Sequence, residues 1–131
     1  GERVEVRGEC RRADLQADLE RSAPARVVIC DCEGAEIMLL DPLRVPGLAA
    51  AHVLVEVHEF LLPGLTDELR DRFEPTHRVE RIDARPNPAS AFPYDGGWVR
   101  WLPDASRIWA VSDQRDMNSC WLWMTPRDES Q

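Results

Sequence analysis

Residues 26–33 read R-V-V-I-C-D-C-E, and residues 52–59 read H-V-L-V-E-V-H-E. Both stretches are short apolar runs rich in valine or isoleucine, and both end in acidic residues. Such runs are typical of strands that are covered on both faces, as they are in a parallel sheet. Residues 35–40 lie between them and read as a short helix that ends before a proline. The two runs therefore predict a strand–helix–strand unit, with parallel strands at Arg26–Cys32 and Val53–Val57.

The same alternation continues on either side of this unit. Further strands are predicted at Val4–Arg7, His77–Ala84 and Cys120–Thr125, and further helices at Asp14–Arg21, Thr66–Phe73 and Asp104–Arg115. Residues 86–97 contain three prolines and two glycines and are predicted to form a loop. Strands that alternate with helices indicate an α/β fold with a largely parallel sheet. A chain of 131 residues is long enough for one domain, which we place at residues 1–131.

Composition narrows the class of protein. The hydrophobic fraction of 44% is that of a globular chain. The net charge is −8, from 24 acidic and 16 basic residues, and an acidic surface disfavours nucleic-acid phosphates and anionic membranes. No apolar run approaches the length needed to cross a bilayer, and no signal peptide is recognisable. We therefore expect a cytoplasmic protein that binds neither nucleic acid nor membranes.

The four cysteines are too few for a disulfide-dense scaffold; they are Cys10, Cys30, Cys32 and Cys120. Cys30 and Cys32 are two residues apart on a predicted strand, where they would share a face without comfortable disulfide geometry. A C-x-C pair without a C-x-x-C partner does not predict a zinc site. We expect buried, reduced thiols, which suit a cytoplasmic chain.

Polar side chains collect where the two central strands end. The carboxyl ends of parallel strands meet at one edge of the sheet, which is where ligands bind in open α/β folds. Sequential strands are usually neighbours, so five carboxylates and one imidazole are expected close together: Asp31, Glu33, Glu36, Glu56, Glu59 and His58. Because the carboxylates repel one another, we expect an arginine, a metal ion or a cationic ligand to compensate them.

Two of these residues are candidates for chemistry. Glu56 interrupts an apolar strand, and an unpaired buried carboxylate is strongly unfavourable, so Glu56 must pair with another group. His58 is the natural general base for a hydroxyl or an amine, because imidazole titrates near neutral pH. His52 and His77 have no acidic neighbours and are predicted to lie at the surface.

The segment Val27–Glu59 resembles the FkbM-like branch of class I methyltransferases. That family typically has a hydrophobic strand that ends in D-x-E-G-x-E, then a short helix, then a strand similar to L-V-E-V-H. The first motif is matched by Asp31, Glu33, Gly34 and Glu36. The second motif is matched by residues 54–58, and the closing W-L-W-M-T-P at residues 121–126 is loosely similar to the last strand of such enzymes.

The resemblance implies a partial Rossmann-like fold: a three-layer sheet, mostly parallel, with an antiparallel last strand and with its first strands missing. The predicted strands, taken in chain order, would be the third to the seventh of a seven-stranded sheet. The resemblance also implies methyl transfer from S-adenosylmethionine to an oxygen or nitrogen of a small molecule or sugar. It places the cofactor near Glu9, Cys10, Asp31 and Glu33, and it makes His58, Glu56 and Asp31 the catalytic residues.

The chain departs from the family at the cofactor loop. Class I methyltransferases hold the cofactor with a glycine-rich turn after the first strand, and no G-x-G pattern occurs in these 131 residues. We therefore expect a carboxy-terminal half that is inactive alone and binds S-adenosylmethionine weakly or not at all. Without the first strand, Val27–Cys32 is predicted to have a bare edge, which favours a homodimer or an amino-terminal segment that covers the edge.

Two other functions fit the same residues. A non-catalytic α/β binding or assembly module would act through the exposed strand edge. A divalent-metal-dependent hydrolase would hold Mg²⁺ or Mn²⁺ between Asp31, Glu33, Glu56 and His58, because oxygen-rich ligand sets suit these ions. A bound metal would favour the hydrolase, and a glycine-rich turn upstream in a longer reading frame would favour the methyltransferase.

Overall fold

The computed structural model describes residues 4–22, 25–83, 85, 87–94, 96–112 and 120–127, which form a mixed sheet with helices. The strands are β1 (Val27–Cys30), β2 (His52–Val57), β3 (His77–Asp83) and β4 (Cys120–Pro126). The α-helices are α1 (Arg12–Arg21), α2 (Glu36–Leu39), α3 (Leu65–Phe73) and α4 (Asp104–Val111). Short 3-10 helices lie at Pro46–Ala50, Ala89–Ala91 and Gly97–Trp101. The α/β class predicted from the sequence is confirmed.

The sheet has the strand order β1-β2-β4-β3. β1 and β2 are parallel, with Val27 opposite His52 and Cys30 opposite Val55. β4 lies between β2 and β3 and is antiparallel to both. β3 therefore points in the same direction as β1 and β2, and the last strand is reversed, as predicted. Although three strands share one direction, only the β1–β2 pair is hydrogen-bonded in parallel.

The predicted amino-terminal strand at Val4–Arg7 is wrong. In the described part of the chain these residues pair with no strand of the sheet, and the two valines are 84% and 89% exposed. An ion pair holds the segment instead, since the Arg7 guanidinium donates to the Asp18 carboxylate of α1 at 2.8 Å. Two valines bury too little apolar area to fix a strand. β1 is thus an edge strand, with Val27 and Ile29 exposed.

One face of the sheet carries the core. The buried strand residues on this face are Val53, Val55 and Val57 of β2 and Cys120, Leu122 and Met124 of β4. Helices α1 and α3 and the 3-10 helix Pro46–Ala50 cover them with Leu15, Leu19, Leu48, Leu65, Leu69 and Phe73. The connections from β1 to β2 and from β2 to β3 both run toward the β3 edge of the sheet. Right-handed crossovers that run toward the same edge place their helices on the same face of the sheet.

The opposite face of the sheet is only partly covered. Trp121 and Trp123 are half-buried there, whereas Ile29 and Ile82 are exposed. Helix α4 packs mainly against the 3-10 helix Ala89–Ala91. The predicted three-layer arrangement is therefore not seen in the described residues, because the crossover helices share the core face.

His77 is fully buried, which corrects the prediction that it lies at the surface. Its Nε2–H donates to the carbonyl oxygen of Ala51 at 2.9 Å, and its Nδ1 accepts from the hydroxyl of Thr76 at 2.8 Å. The ring also meets the Phe73 ring edge-on, with the centroids 5.0 Å apart. Burial lowers the pKa of His77 below its ordinary value of 6.5. His52, by contrast, is half-buried and stacks on Trp123.

The buried His77 predicts a loss of stability in mild acid. Below about pH 6.5 the unfolded chain binds a proton that folded His77 resists, so the free energy of unfolding falls as the pH falls. A His77→Gln variant removes this slope between pH 7.5 and about 5.5 in urea-unfolding experiments, whereas the matched His52→Gln variant keeps it. An unchanged slope in the His77→Gln variant would contradict the assignment.

Candidate functional site

The candidate site lies where β1 and β2 end. After β1 the chain turns through Glu33 and Gly34, whose φ angles are +50° and +97°, and then enters α2 at Glu36. A left-handed conformation at two successive residues makes the turn sharp, and the glycine adopts it without strain. The turn brings the first residue of α2 back toward the strand ends, where His58 follows β2.

A buried hydrogen bond between His58 and Glu36 is the centre of the site. Nδ1 of His58 donates to Oε1 of Glu36 at 2.8 Å, and the side chains are 8% and 0% exposed. The same Oε1 accepts the backbone N–H of Cys32 at 3.2 Å. One carboxylate oxygen therefore joins the end of β1, the start of α2 and the end of β2.

Glu36 is an ionised carboxylate at neutral pH. Burial by itself raises the pKa of this carboxyl group. The nearby backbone amides of Glu36, Gly34 and Cys32, together with the His58 ring, outweigh burial and hold the pKa below the ordinary 4.5. A buried negative charge in contact with Nδ1 fixes the hydrogen of the imidazole on that nitrogen.

The other ring nitrogen of His58 faces two carboxylates. Nε2 lies 3.6 Å from Oδ1 of Asp31 and 3.9 Å from Oε2 of Glu33. These distances are too long for hydrogen bonds, and Nε2 has none in the described part of the chain. The side chains of Asp31 and Glu33 are 48% and 79% exposed, so this space is open to solvent. The Phe60 ring meets the His58 imidazole edge-on, with the ring centroids 5.9 Å apart.

The predicted gathering of five carboxylates is wrong for Glu56 and Glu59. Glu56 is 2% exposed, lies opposite Trp121 on the face of the sheet away from the core, and does not join Asp31, Glu33 and His58. The period-two alternation of a strand turns its side chain away from the core face that Val55 and Val57 line. Among the described residues, the cluster at the strand ends consists of Asp31, Glu33 and His58 and does not include Glu56.

Glu59 has a structural role that the sequence did not reveal. Its Oε1 accepts the backbone N–H of Gly64 at 2.5 Å, and its Oε2 accepts the amide and hydroxyl of Thr66 at 2.9 and 2.6 Å. These hydrogen bonds, above all that from the Thr66 hydroxyl, lower the pKa of Glu59. Glu59 thus supplies a carboxylate to the amino-terminal end of α3, where the helix dipole favours a negative charge.

The predicted cofactor residues Glu9 and Cys10 lie beside the site rather than in it. They line an open cleft of about 490 Å³ together with Ala35 and Met38 from the start of α2. A second open cleft, of about 520 Å³, lies between the same two residues and the carboxy-terminal end of α1. Neither cleft is lined by Asp31, Glu33 or His58, so the two halves of the predicted cofactor site occupy adjacent surfaces.

The four cysteines are free, but only Cys30 and Cys120 are buried as predicted. β1 ends at Cys30, so Cys32 leaves the strand, and the two sulfur atoms approach to 3.3 Å. Burial raises the pKa of the Cys30 thiol, and the neighbouring Cys32 raises it further. Cys30 is therefore a protonated thiol and not a nucleophile at neutral pH.

Comparison with protein-family models, with curated proteins and with solved structures finds no significant match to this chain. Among the residues that the structure describes, every helix is too short or too polar to cross a membrane.

The Glu36–His58 hydrogen bond predicts a measurable coupling between the two side chains. Glu36→Gln is expected to lower the free energy of unfolding by about 1.5–3 kcal/mol, because a hydrogen bond to a buried charged group is lost. The loss in a double variant with His58→Gln is expected to be smaller than the sum of the two single losses. Urea unfolding measures all three. The exposed Glu33→Gln control should change stability by no more than about 0.5 kcal/mol. Additive losses would show that the two side chains do not interact.

Proposed function

We propose that this chain is the acceptor-binding, carboxy-terminal part of an S-adenosylmethionine-dependent methyltransferase that modifies an oxygen or nitrogen of a small molecule or sugar. The observation that carries the proposal is the Glu36–His58 pair at the carboxyl ends of two parallel strands. The buried carboxylate holds the hydrogen on Nδ1, so the neutral ring presents its Nε2 lone pair to the open side of the site. A base oriented in this way accepts a proton from a bound hydroxyl or amine.

The role of each residue follows from its place. His58 takes the proton of the acceptor at Nε2, and Glu36 stabilises the imidazolium that forms, as an acidic partner does in catalytic triads. Asp31 and Glu33 line the same space and favour a positive charge there. S-adenosylmethionine, when bound, supplies a methyl group on a cationic sulfonium. Most of the rate acceleration in such a transfer comes from proximity and orientation, and a general base adds about 10²–10⁴-fold.

The fold supports the same proposal. The chain supplies three strands of one direction and a reversed last strand, and β1 lies at the edge where a further parallel strand can pair. The residues present fit the acceptor side of a methyltransferase better than its cofactor side. Glu9 and Cys10 border an open cleft next to α2, but the chain contains no glycine-rich turn that would let its backbone approach the cofactor.

A second candidate, a non-catalytic assembly module, is favoured by the edge of the sheet. β1 exposes Val27 and Ile29 at 60% and 70%, and an apolar edge strand is a template for pairing with another strand. A homodimer through β1 would use this edge. The module requires neither Glu36 nor His58, so substitutions at these two residues distinguish it from the methyltransferase.

The test is transfer of a labelled methyl group from S-adenosylmethionine, measured with this chain alone and with the complete polypeptide that its gene encodes. Titration calorimetry is expected to show no micromolar binding of the cofactor to the 131-residue chain, and the complete polypeptide is expected to bind it and to transfer the label. His58→Gln should lower kcat by about 10²-fold or more, whereas the matched His52→Gln control should not. Full activity in the His58→Gln variant, or a complete polypeptide that does not bind the cofactor, would overturn the proposal.

A further inference from the structure

We infer that Asp31, Glu33 and His58 form a binding site for one divalent ion of a first-row transition metal, with Glu36 orienting the histidine from behind. The inference goes beyond methyl transfer and does not rest on it. It concerns the open space next to Nε2 of His58, where the ligand atoms of the three side chains all lie within 4.8 Å of one another.

The distances between the ligand atoms are close to those around a shared ion. Metal–ligand bonds of 2.0–2.2 Å place neighbouring ligand atoms about 3.0–3.6 Å apart. Nε2 of His58 is 3.6 Å from the Asp31 oxygen and 3.9 Å from the Glu33 oxygen. Both carboxylates lie on the turn after β1 and are exposed, so a small side-chain rotation brings each to bonding distance.

The histidine gives evidence independent of the acidic residues. It is 94% buried, and its Nδ1 is committed to Glu36, so the nitrogen that faces the two carboxylates carries a lone pair when the ring is neutral. A cation placed between this lone pair and the two negative charges is attracted to all three groups. A histidine whose second nitrogen donates to a carboxylate is also the usual arrangement of a metal-ligating histidine.

In the described residues, no arginine forms an ion pair with Asp31 or Glu33. Every basic residue of the chain is an arginine, and the arginine ion pairs that the structure describes go to Glu5, Glu9, Asp18, Asp41, Asp67, Glu68 and Asp83. Asp31 and Glu33 have His58 as their charged partner. The compensating cation expected from the sequence is thus not an arginine of the described chain.

The donor set selects the class of ion. One imidazole nitrogen and two carboxylate oxygens suit Mn²⁺ or Zn²⁺ better than Mg²⁺ or Ca²⁺, which prefer oxygen ligands alone. Three protein ligands leave coordination positions open for water or a substrate oxygen. Glu56, predicted from the sequence as a ligand, is not part of this cluster. An ion on Nε2 excludes a proton there, so with metal bound the ion, rather than His58, would activate a bound hydroxyl.

The experiment is a titration of the 131-residue chain with Mn²⁺ alone, followed by the loss of the electron paramagnetic resonance signal of the free ion. Mn²⁺ is chosen because it prefers oxygen and nitrogen ligands to the four free thiols. Wild-type protein should bind one ion per chain. Asp31→Asn and Glu33→Gln should each weaken binding about tenfold or more, and both sites are exposed, so folding is retained. Glu80→Gln, an exposed carboxylate on β3, is the matched control and should leave binding unchanged.

A second variant tests the orienting role of Glu36. Glu36→Gln should weaken Mn²⁺ binding about 10–100-fold although it provides no ligand atom, as substitutions behind ligating histidines do. Circular dichroism confirms that the variant is folded before the titration is interpreted. Absence of saturable binding to wild-type protein, or equal binding by the Asp31→Asn and Glu80→Gln variants, would overturn the inference. Both outcomes are read from the metal alone, so a failure of this inference is distinguishable from a failure of the methyl-transfer assay.

Discussion

The arrangement of this site depends on one buried hydrogen bond, from Nδ1 of His58 to the Glu36 carboxylate. A buried carboxylate needs polar partners in the protein, and here the Cys32 amide and the His58 imidazole both hydrogen-bond to Oε1 of Glu36. The left-handed turn at Glu33 and Gly34 positions the carboxylate for these bonds. The same turn leaves Asp31 and Glu33 at the open end of the imidazole. The arrangement of Asp31, Glu33 and His58 thus depends on the hydrogen bonds that stabilise the buried charge of Glu36.

The acidic residues at the strand ends show how position decides the role of identical chemical groups. Glu36 is buried and ionised and contacts Nδ1 of His58. Glu59 accepts hydrogen bonds at the start of α3, and Glu56 lies on the face of the sheet away from the core. Asp31 and Glu33 alone remain exposed in front of Nε2. A chain with a net charge of −8 thereby places two carboxylates next to one imidazole nitrogen, a local environment that attracts a metal ion.

The sequence predicted the parts of the fold that depend on strong local patterns. The apolar runs of β1 and β2, the intervening short helix and the meeting of Asp31, Glu33 and His58 follow from periodicity and from the geometry of parallel strands. Val4–Arg7 shows the same alternation as a strand but has too little apolar area to be held in the sheet. The burial of His77 depends on the distant Ala51 carbonyl and the Phe73 ring, which no local pattern encodes. The hydrogen-bond partners of the carboxylates depend on such contacts too. Glu59 accepts the amide of Gly64, five residues along the chain, and Glu36 pairs with His58, 22 residues along the chain.

The most direct test is nitrogen-15 magnetic resonance of the histidine rings at alkaline pH, where neutral tautomers are observed, with the signals assigned by the His52→Gln and His58→Gln variants. His58 should be the tautomer with hydrogen on Nδ1, because that nitrogen donates to Glu36, and its Nε2 should show the shift of an unprotonated nitrogen. His77 should be the opposite tautomer, since its Nε2–H donates to Ala51. If His58 instead carries its hydrogen on Nε2, the Glu36 carboxylate does not orient the ring, and both the general-base and the metal-site proposals lose their foundation.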